Sequence, residues 1–182
     1  MIINPVDDIK DLFIVENIYS DELINQIQST NLLSYSHTTV SWQEHVPRKL
    51  LIFDDSDILA QLNKELQSKI SIISEYINID IKNVSTNIWI DEGQLEGKMN
   101  IHVDNPGVGI AMQIYLLPND VNLGTKFYYD CSPDWLSGTL RYDFPFKVNS
   151  GYIMINGPKQ YHGPPKIIPN GTIRCSSYSL FT

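Results

Sequence analysis

Cysteine is nearly missing from this 182-residue chain: Cys131 and Cys175 are the only two, too few for a disulfide framework. No apolar run approaches the roughly 20 residues that a membrane helix needs. The opening Met1-Ile2-Ile3-Asn4-Pro5 lacks the charged and apolar blocks of a signal peptide. Together these absences lead to the expectation of a cytoplasmic, reducing setting without a membrane partner. Positive charge is scarce as well, with 13 basic residues against 21 acidic ones and a formal charge of -8. A surface of that sign repels a phosphate backbone, so a nucleic-acid substrate is disfavoured. There is no internal repeat and no low-complexity tract. What the chain does have is 42% apolar residues, enough at this length for one core, and a single domain over 1–182 is the expectation.

Two helical patterns occupy the first half. Ser20 is placed to cap a short helix through about residue 30, with Leu23, Ile24 and Ile27 as its buried stripe. Ser56 is a candidate cap for a second helix, in which Ile58, Leu59, Leu62, Leu66, Ile70, Ile73 and Tyr76 recur at helical spacing through about residue 78. Residues 48–53 read as a strand between them. From residue 83 the texture changes to short strand-like segments separated by Gly, Pro, Asn and Asp, at 84–90, 99–103, 108–117, 126–129, 146–148, 151–155 and 172–180. Short strands following two helices predict a mostly-β (α+β) fold, a sandwich or open barrel with helices packed outside one sheet. Residues 1–98 then supply helices and supporting strands, and 99–182 the β core. Residues 130–144 read as a long surface loop that folds over a pocket mouth and takes part in substrate choice.

His102-Val103-Asp104 falls at the end of a predicted strand, where a two-residue period sends His102 and Asp104 to one face. A metal needs a third ligand from elsewhere, and His162 is the candidate, in Tyr161-His162-Gly163-Pro164-Pro165. Two imidazoles and one carboxylate on a triangular face leave other positions open, the arrangement of non-haem iron(II) oxygenases. Past an Asn170-Gly171 turn, Arg174 and Ser176 share a strand face. A guanidinium beside a hydroxyl suits the distal carboxylate of a dicarboxylic acid, because Arg donates two parallel charge-assisted bonds.

From about residue 99 to the end the chain resembles the double-stranded β-helix (jelly-roll, cupin-like) oxygenases that use iron(II) and 2-oxoglutarate, a family that includes prolyl hydroxylases. The resemblance rests on His102-x-Asp104, His162 and Arg174-x-Ser176 in order. Ile114-Tyr115-Leu116, Gly124-Thr125-Lys126-Phe127 and the segment around His162 resemble further family segments, although Leu123 stands where the first glycine of a Gly-Gly pair is usual. The resemblance implies His102, Asp104 and His162 as iron ligands and catalytic residues. It implies Arg174, Ser176 and Tyr115 as 2-oxoglutarate-binding residues, with Gln113 in reserve. Fe(II), 2-oxoglutarate and O2 would be the cofactors and cosubstrates, and the product a hydroxylated small molecule or peptide or protein residue, proline being one subcase. Asp104 stands where relatives with halogenase activity carry a small residue, which points to hydroxylation.

Two other readings stay open. A cupin-like protein that binds a metal or small acid without oxygen chemistry would keep the same fold, and zinc accepts the same three ligands. His37 and His45 have no ligand-like neighbours and are expected to face solvent or line an entrance.

Overall fold

The computed structural model describes residues 1–7, 9–32, 37–38, 48–51, 57–92, 100–105, 107–118, 120–165 and 168–182. Strands β1 (Ile2–Val6) and β2 (Ile9–Glu16) form an antiparallel pair and lead into helix α1 (Asp21–Ser29). The Ser20 hydroxyl accepts the Leu23 N–H at 3.3 Å, and Asp21 and Glu22 place negative charge on the first turn. Leu23, Ile24 and Ile27 are its buried residues, as their spacing predicts.

The second helical pattern is two helices, α2 (Asp57–Gln67) and α3 (Ile70–Ile77). At the break the Ser68 hydroxyl donates to the Glu65 carbonyl at 2.6 Å, drawing that oxygen out of the helical ladder. The buried stripe runs on through the break at Ile58, Leu62, Leu66, Ile70 and Ile73. Ile77 is covered, while Tyr76, expected in the core, is 48% exposed. Asn78 ends α3 in the left-handed region at φ 57°, which Asn tolerates better than most residues. The Ser56 cap falls outside the described residues.

Among the described residues nine further strands follow in chain order: β3 (His37–Thr38), β4 (Arg48–Leu51), β5 (Val84–Glu92), β6 (Ile110–Leu117), β7 (Lys126–Tyr128), β8 (Leu140–Asp143), β9 (Ser150–Ile155), β10 (Tyr161–Gly163) and β11 (Ile173–Phe181). An eight-stranded sheet runs β1-β2-β9-β6-β11-β5-β4-β3, and a smaller one runs β10-β7-β8. Because successive side chains alternate, the large sheet covers two cores. On one face Val15, Ile88, Ile90, Met112, Ile114 and Ile153 pack with the helices. On the other, Leu12, Ala111, Tyr115, Tyr152 and Met154 pack with Phe127, Phe144 and Phe146 from the small sheet and its connections. Leu62, Leu66 and Ile73 are wholly buried, and each such side chain contributes about 1.5–3 kcal/mol through burial.

Three strand expectations change. Residues 100–103 form no strand, and His102 instead makes an isolated bridge to His162. Residues 146–148 form no strand either; they approach β9 through a turn in which Ser150 N–H donates to the Lys147 carbonyl at 3.1 Å. The expected 130–144 loop contains β8, which pairs with β7. Gly124 is demanded by close approach rather than by φ, since a Cβ there would lie 1.4 Å from the Phe144 carbonyl oxygen. Among the described residues, no helix is long and apolar enough to cross a membrane.

Candidate metal centre

The two histidines are brought together by backbone pairing. His162 sits on β10, opposite Phe127 of β7. His102 and His162 exchange both N–H···O bonds at 2.8 Å, and their rings lie 4.4 Å apart between centroids. Each ring is anchored in the same way: His102 Nδ1 is 2.9 Å from the Asn100 carbonyl, and His162 Nδ1 is 2.9 Å from the Gln160 carbonyl. A carbonyl oxygen only accepts, so each Nδ1 carries the proton and each Nε2 presents a lone pair. That is the tautomer a metal requires. Burial above all, aided by the neighbouring imidazole, pulls His162 down from 6.5 to about 4 against the opposing pull of Asp104, which keeps the ring neutral at physiological pH.

Asp104 reaches the pair from a turn rather than from the expected strand. Asn105 Oδ1 accepts the Gly107 N–H at 2.9 Å, and the Asn156 side-chain amide, just past β9, donates to the carbonyls of Asp104 and Asn105 at 3.3 and 3.0 Å. Asp104 Oδ1 stands 3.8 Å from His102 Nε2 and 3.6 Å from His162 Nε2. The three ligand atoms lie within 4.8 Å of one another, so the set fits one divalent ion.

Asp104 Oδ2 is occupied differently: it accepts from the Tyr178 hydroxyl at 2.8 Å. Burial first, and the carboxylate second, hold the Tyr178 phenol far above its ordinary value, so it remains a donor. Tyr178 therefore leaves Oδ1 as the carboxylate oxygen that could face a metal. Tyr178→Phe is expected to weaken Co(II) or Fe(II) affinity by about 10–100-fold with little change in thermal stability, measured by metal titration and by a melting curve.

The triad opens on a cavity of about 880 Å³ that Arg174, Gln113, Trp89 and Trp135 also line. Arg174 is 1% exposed. Its guanidinium donates to Asp91, to the Leu123 carbonyl at 2.8 Å and to Thr125 Oγ1 at 3.3 Å. Ser176 and Tyr115 do not line the cavity. The Ser176 hydroxyl accepts from the Gln113 amide at 2.9 Å, and the Tyr115 hydroxyl accepts the Thr125 N–H at 3.0 Å. Both lie in a buried network behind Arg174 in which Thr125 and Tyr152 hydroxyls donate to Gln113 Oε1, at 3.0 and 2.8 Å. Gln113, the reserve candidate, faces the cavity in their place.

At the level of sequence, no family model and no curated protein matches the chain. Its architecture, by contrast, is shared with solved structures. A Pseudomonas putida prolyl-4-hydroxylase superposes with a TM-score of 0.64 at 8% identity, over 94% of this chain and 91% of that one. A 2OG-Fe(II) oxygenase family oxidoreductase from Burkholderia pseudomallei gives 0.62 at 10% identity, over 94% and 84%. The non-heme alpha-ketoglutarate-dependent epimerase SnoN of nogalamycin biosynthesis gives 0.59 at 12% identity, over 95% and 78%. The fold is the double-stranded β-helix of these oxygenases.

Within this double-stranded β-helix the His102, Asp104, His162 cluster bridges the two sheets, His162 standing on the small one and Asp104 tied to the large one through Tyr178. Sequence reading missed Tyr178, although it continues the Arg174, Ser176 alternation on β11 by one more step. It also missed Arg48 and Asp91, for which no local signal exists because they meet Arg174 only across strands. The 130–144 segment does reach the site: Trp135 lines the cavity, and its carbonyl accepts the Ile101 N–H at 3.1 Å. His45 and the side chain of His37 lie outside the described residues.

Proposed function

We propose that the chain is an iron(II)- and 2-oxoglutarate-dependent oxygenase that hydroxylates a C–H bond of a small molecule or of a peptide or protein residue, releasing succinate and CO2. The observation that carries this reading is the convergence of His102 Nε2, Asp104 Oδ1 and His162 Nε2 on a cavity that also holds a buried guanidinium. The reading treats residues 1–182 as one oxygenase domain. Relatives in fold support the class but not the outcome, since they include both prolyl hydroxylases and an epimerase.

Iron, when bound, supplies the redox chemistry that activates O2 with 2-oxoglutarate against a C–H bond. The chain's own residues do the rest. His102 and His162 would hold the ion through Nε2 atoms oriented by their carbonyl anchors, and Asp104 would add Oδ1 as the third ligand atom. Arg174 faces the cavity about 13 Å along β11 from Tyr178, the span of four strand residues. There it would take the distal carboxylate of 2-oxoglutarate through charge-assisted bonds. Trp89, Val103, Val108 and Trp135 supply apolar wall that limits water near the metal.

The test is turnover. Purified protein given Fe(II), 2-oxoglutarate and O2 is expected to form succinate slowly without substrate, and Asp104→Ala is expected to form none. Succinate formation that rises with a proline-containing peptide would select the prolyl subcase. Metal binding without succinate in any condition would sink the oxygenase reading and leave a binding protein.

A further inference from the structure

Two arginines that line the cavity flank a fully buried aspartate. The register of the large sheet sets Arg48 of β4 opposite Asp91 of β5, and Asp91 opposite Arg174 of β11. Their side chains are 10%, 0% and 1% exposed, respectively. Arg48 grips Asp91 with two donors, Nε to Oδ1 and Nη2 to Oδ2, the latter at 3.0 Å, while Arg174 Nη1 shares Oδ2. Burial alone would raise the Asp91 carboxyl, but the two guanidinium groups outweigh it and hold the group below its usual range.

Two cations and one anion leave a net charge of +1. Buried ionic networks ordinarily close near neutrality, because an uncompensated charge away from water is costly. Here the surplus sits beside a cavity that both guanidinium groups line, in a protein whose formal charge is -8. Arg174 with Asp91 alone would be a neutral pair with little attraction for an anion. Arg48 restores the charge, and its position is fixed further by stacking over the Trp89 ring at 5.6 Å.

The geometry points to Arg48 and Asp91 as positioning residues that set the charge of the carboxylate end: Asp91 holds two guanidinium groups side by side, and Arg48 supplies the positive charge that Asp91 otherwise cancels on Arg174. The ligand this end selects carries one carboxylate there, as a 2-oxo dicarboxylate does and a 2-oxo monocarboxylate does not. The inference rests on the 2-oxoglutarate reading above and adds residues to it.

The experiment compares 2-oxoglutarate with 2-oxobutyrate, which lacks the distal carboxylate, by calorimetric titration of Co(II)-loaded protein. Wild type is expected to prefer 2-oxoglutarate. In Arg48→Gln that preference is expected to fall about tenfold or more through weaker 2-oxoglutarate binding, with 2-oxobutyrate and cobalt affinities unchanged. In the double variant Arg48→Gln/Asp91→Asn, where Arg174 again carries the surplus charge, it is expected to return to within about threefold of wild type. Should Arg48→Gln fail to fold, Arg48→Lys, which keeps the charge but not the fork, is expected to retain the preference. A preference unmoved in Arg48→Gln, unrestored in the double variant or abolished in Arg48→Lys overturns the inference while the oxygenase reading stands. No preference in wild type overturns both.

Discussion

Alanine at His162 is expected to lower affinity for divalent metal by on the order of a hundredfold or more and to end iron-dependent turnover. Loss of an outer partner of a ligand already costs about 10–100-fold, and loss of the ligand itself costs at least as much. The three candidate ligands differ in what else they hold. His162 is buried, stacks on Phe127 at 5.4 Å and is anchored to the Gln160 carbonyl. Its removal opens a void and strands that oxygen, a cost of about 2–4 kcal/mol. The side chain of His102 is 36% exposed, so His102→Ala should cost about 1 kcal/mol or less. Metal titration should therefore find the two variants alike, while melting curves separate them by roughly 5–10 °C. Equal melting temperatures with unequal metal loss would contradict the proposed ligand set.

Arg174→Ala is the second large effect, and it acts on fold and ligand together. The substitution leaves the fully buried Asp91 with one guanidinium instead of two and frees the Leu123 carbonyl and Thr125 hydroxyl. Asp91 keeps its two bonds to Arg48, so the cost comes from the void and from the Leu123 carbonyl left without its donor, about 2–4 kcal/mol, a large part of the stability of a typical domain. Arg174→Lys separates the two roles. Lysine keeps the positive charge for Asp91 but not the planar fork, so the protein should fold, bind cobalt as wild type does and bind 2-oxoglutarate at least about tenfold more weakly. Titration of 2-oxoglutarate into the cobalt-loaded variant measures this; wild-type affinity there would remove Arg174 from the carboxylate site.

Local order was the more legible part. The Ser20 cap and the Leu23, Ile24, Ile27 stripe were readable because capping and helical period act within a few residues. The α2–α3 break was not. At that point the Lys69 N–H turns to the Leu66 carbonyl at 3.0 Å, while a continuous apolar period runs through without a mark. Similarly, β8 hid in a stretch rich in turn residues, because its pairing partner β7 and not its own composition makes it a strand.

The primary order alone determined which side chains are available for the chemistry: two histidines and an aspartate of ligand type, an arginine and serine alternating on a late strand, and an excess of negative charge. These are properties of residue identity and short spacing, and they survive without a fold. Only the tertiary structure decided that His102 faces His162 through a backbone bridge, that Tyr178 claims one oxygen of Asp104, and that Tyr115 and Ser176 lie behind the cavity instead of on it. It alone set Arg48, Asp91 and Arg174 abreast, because strand register is a relation between segments 43 and 83 residues apart, and no local pattern encodes which residue will stand opposite which.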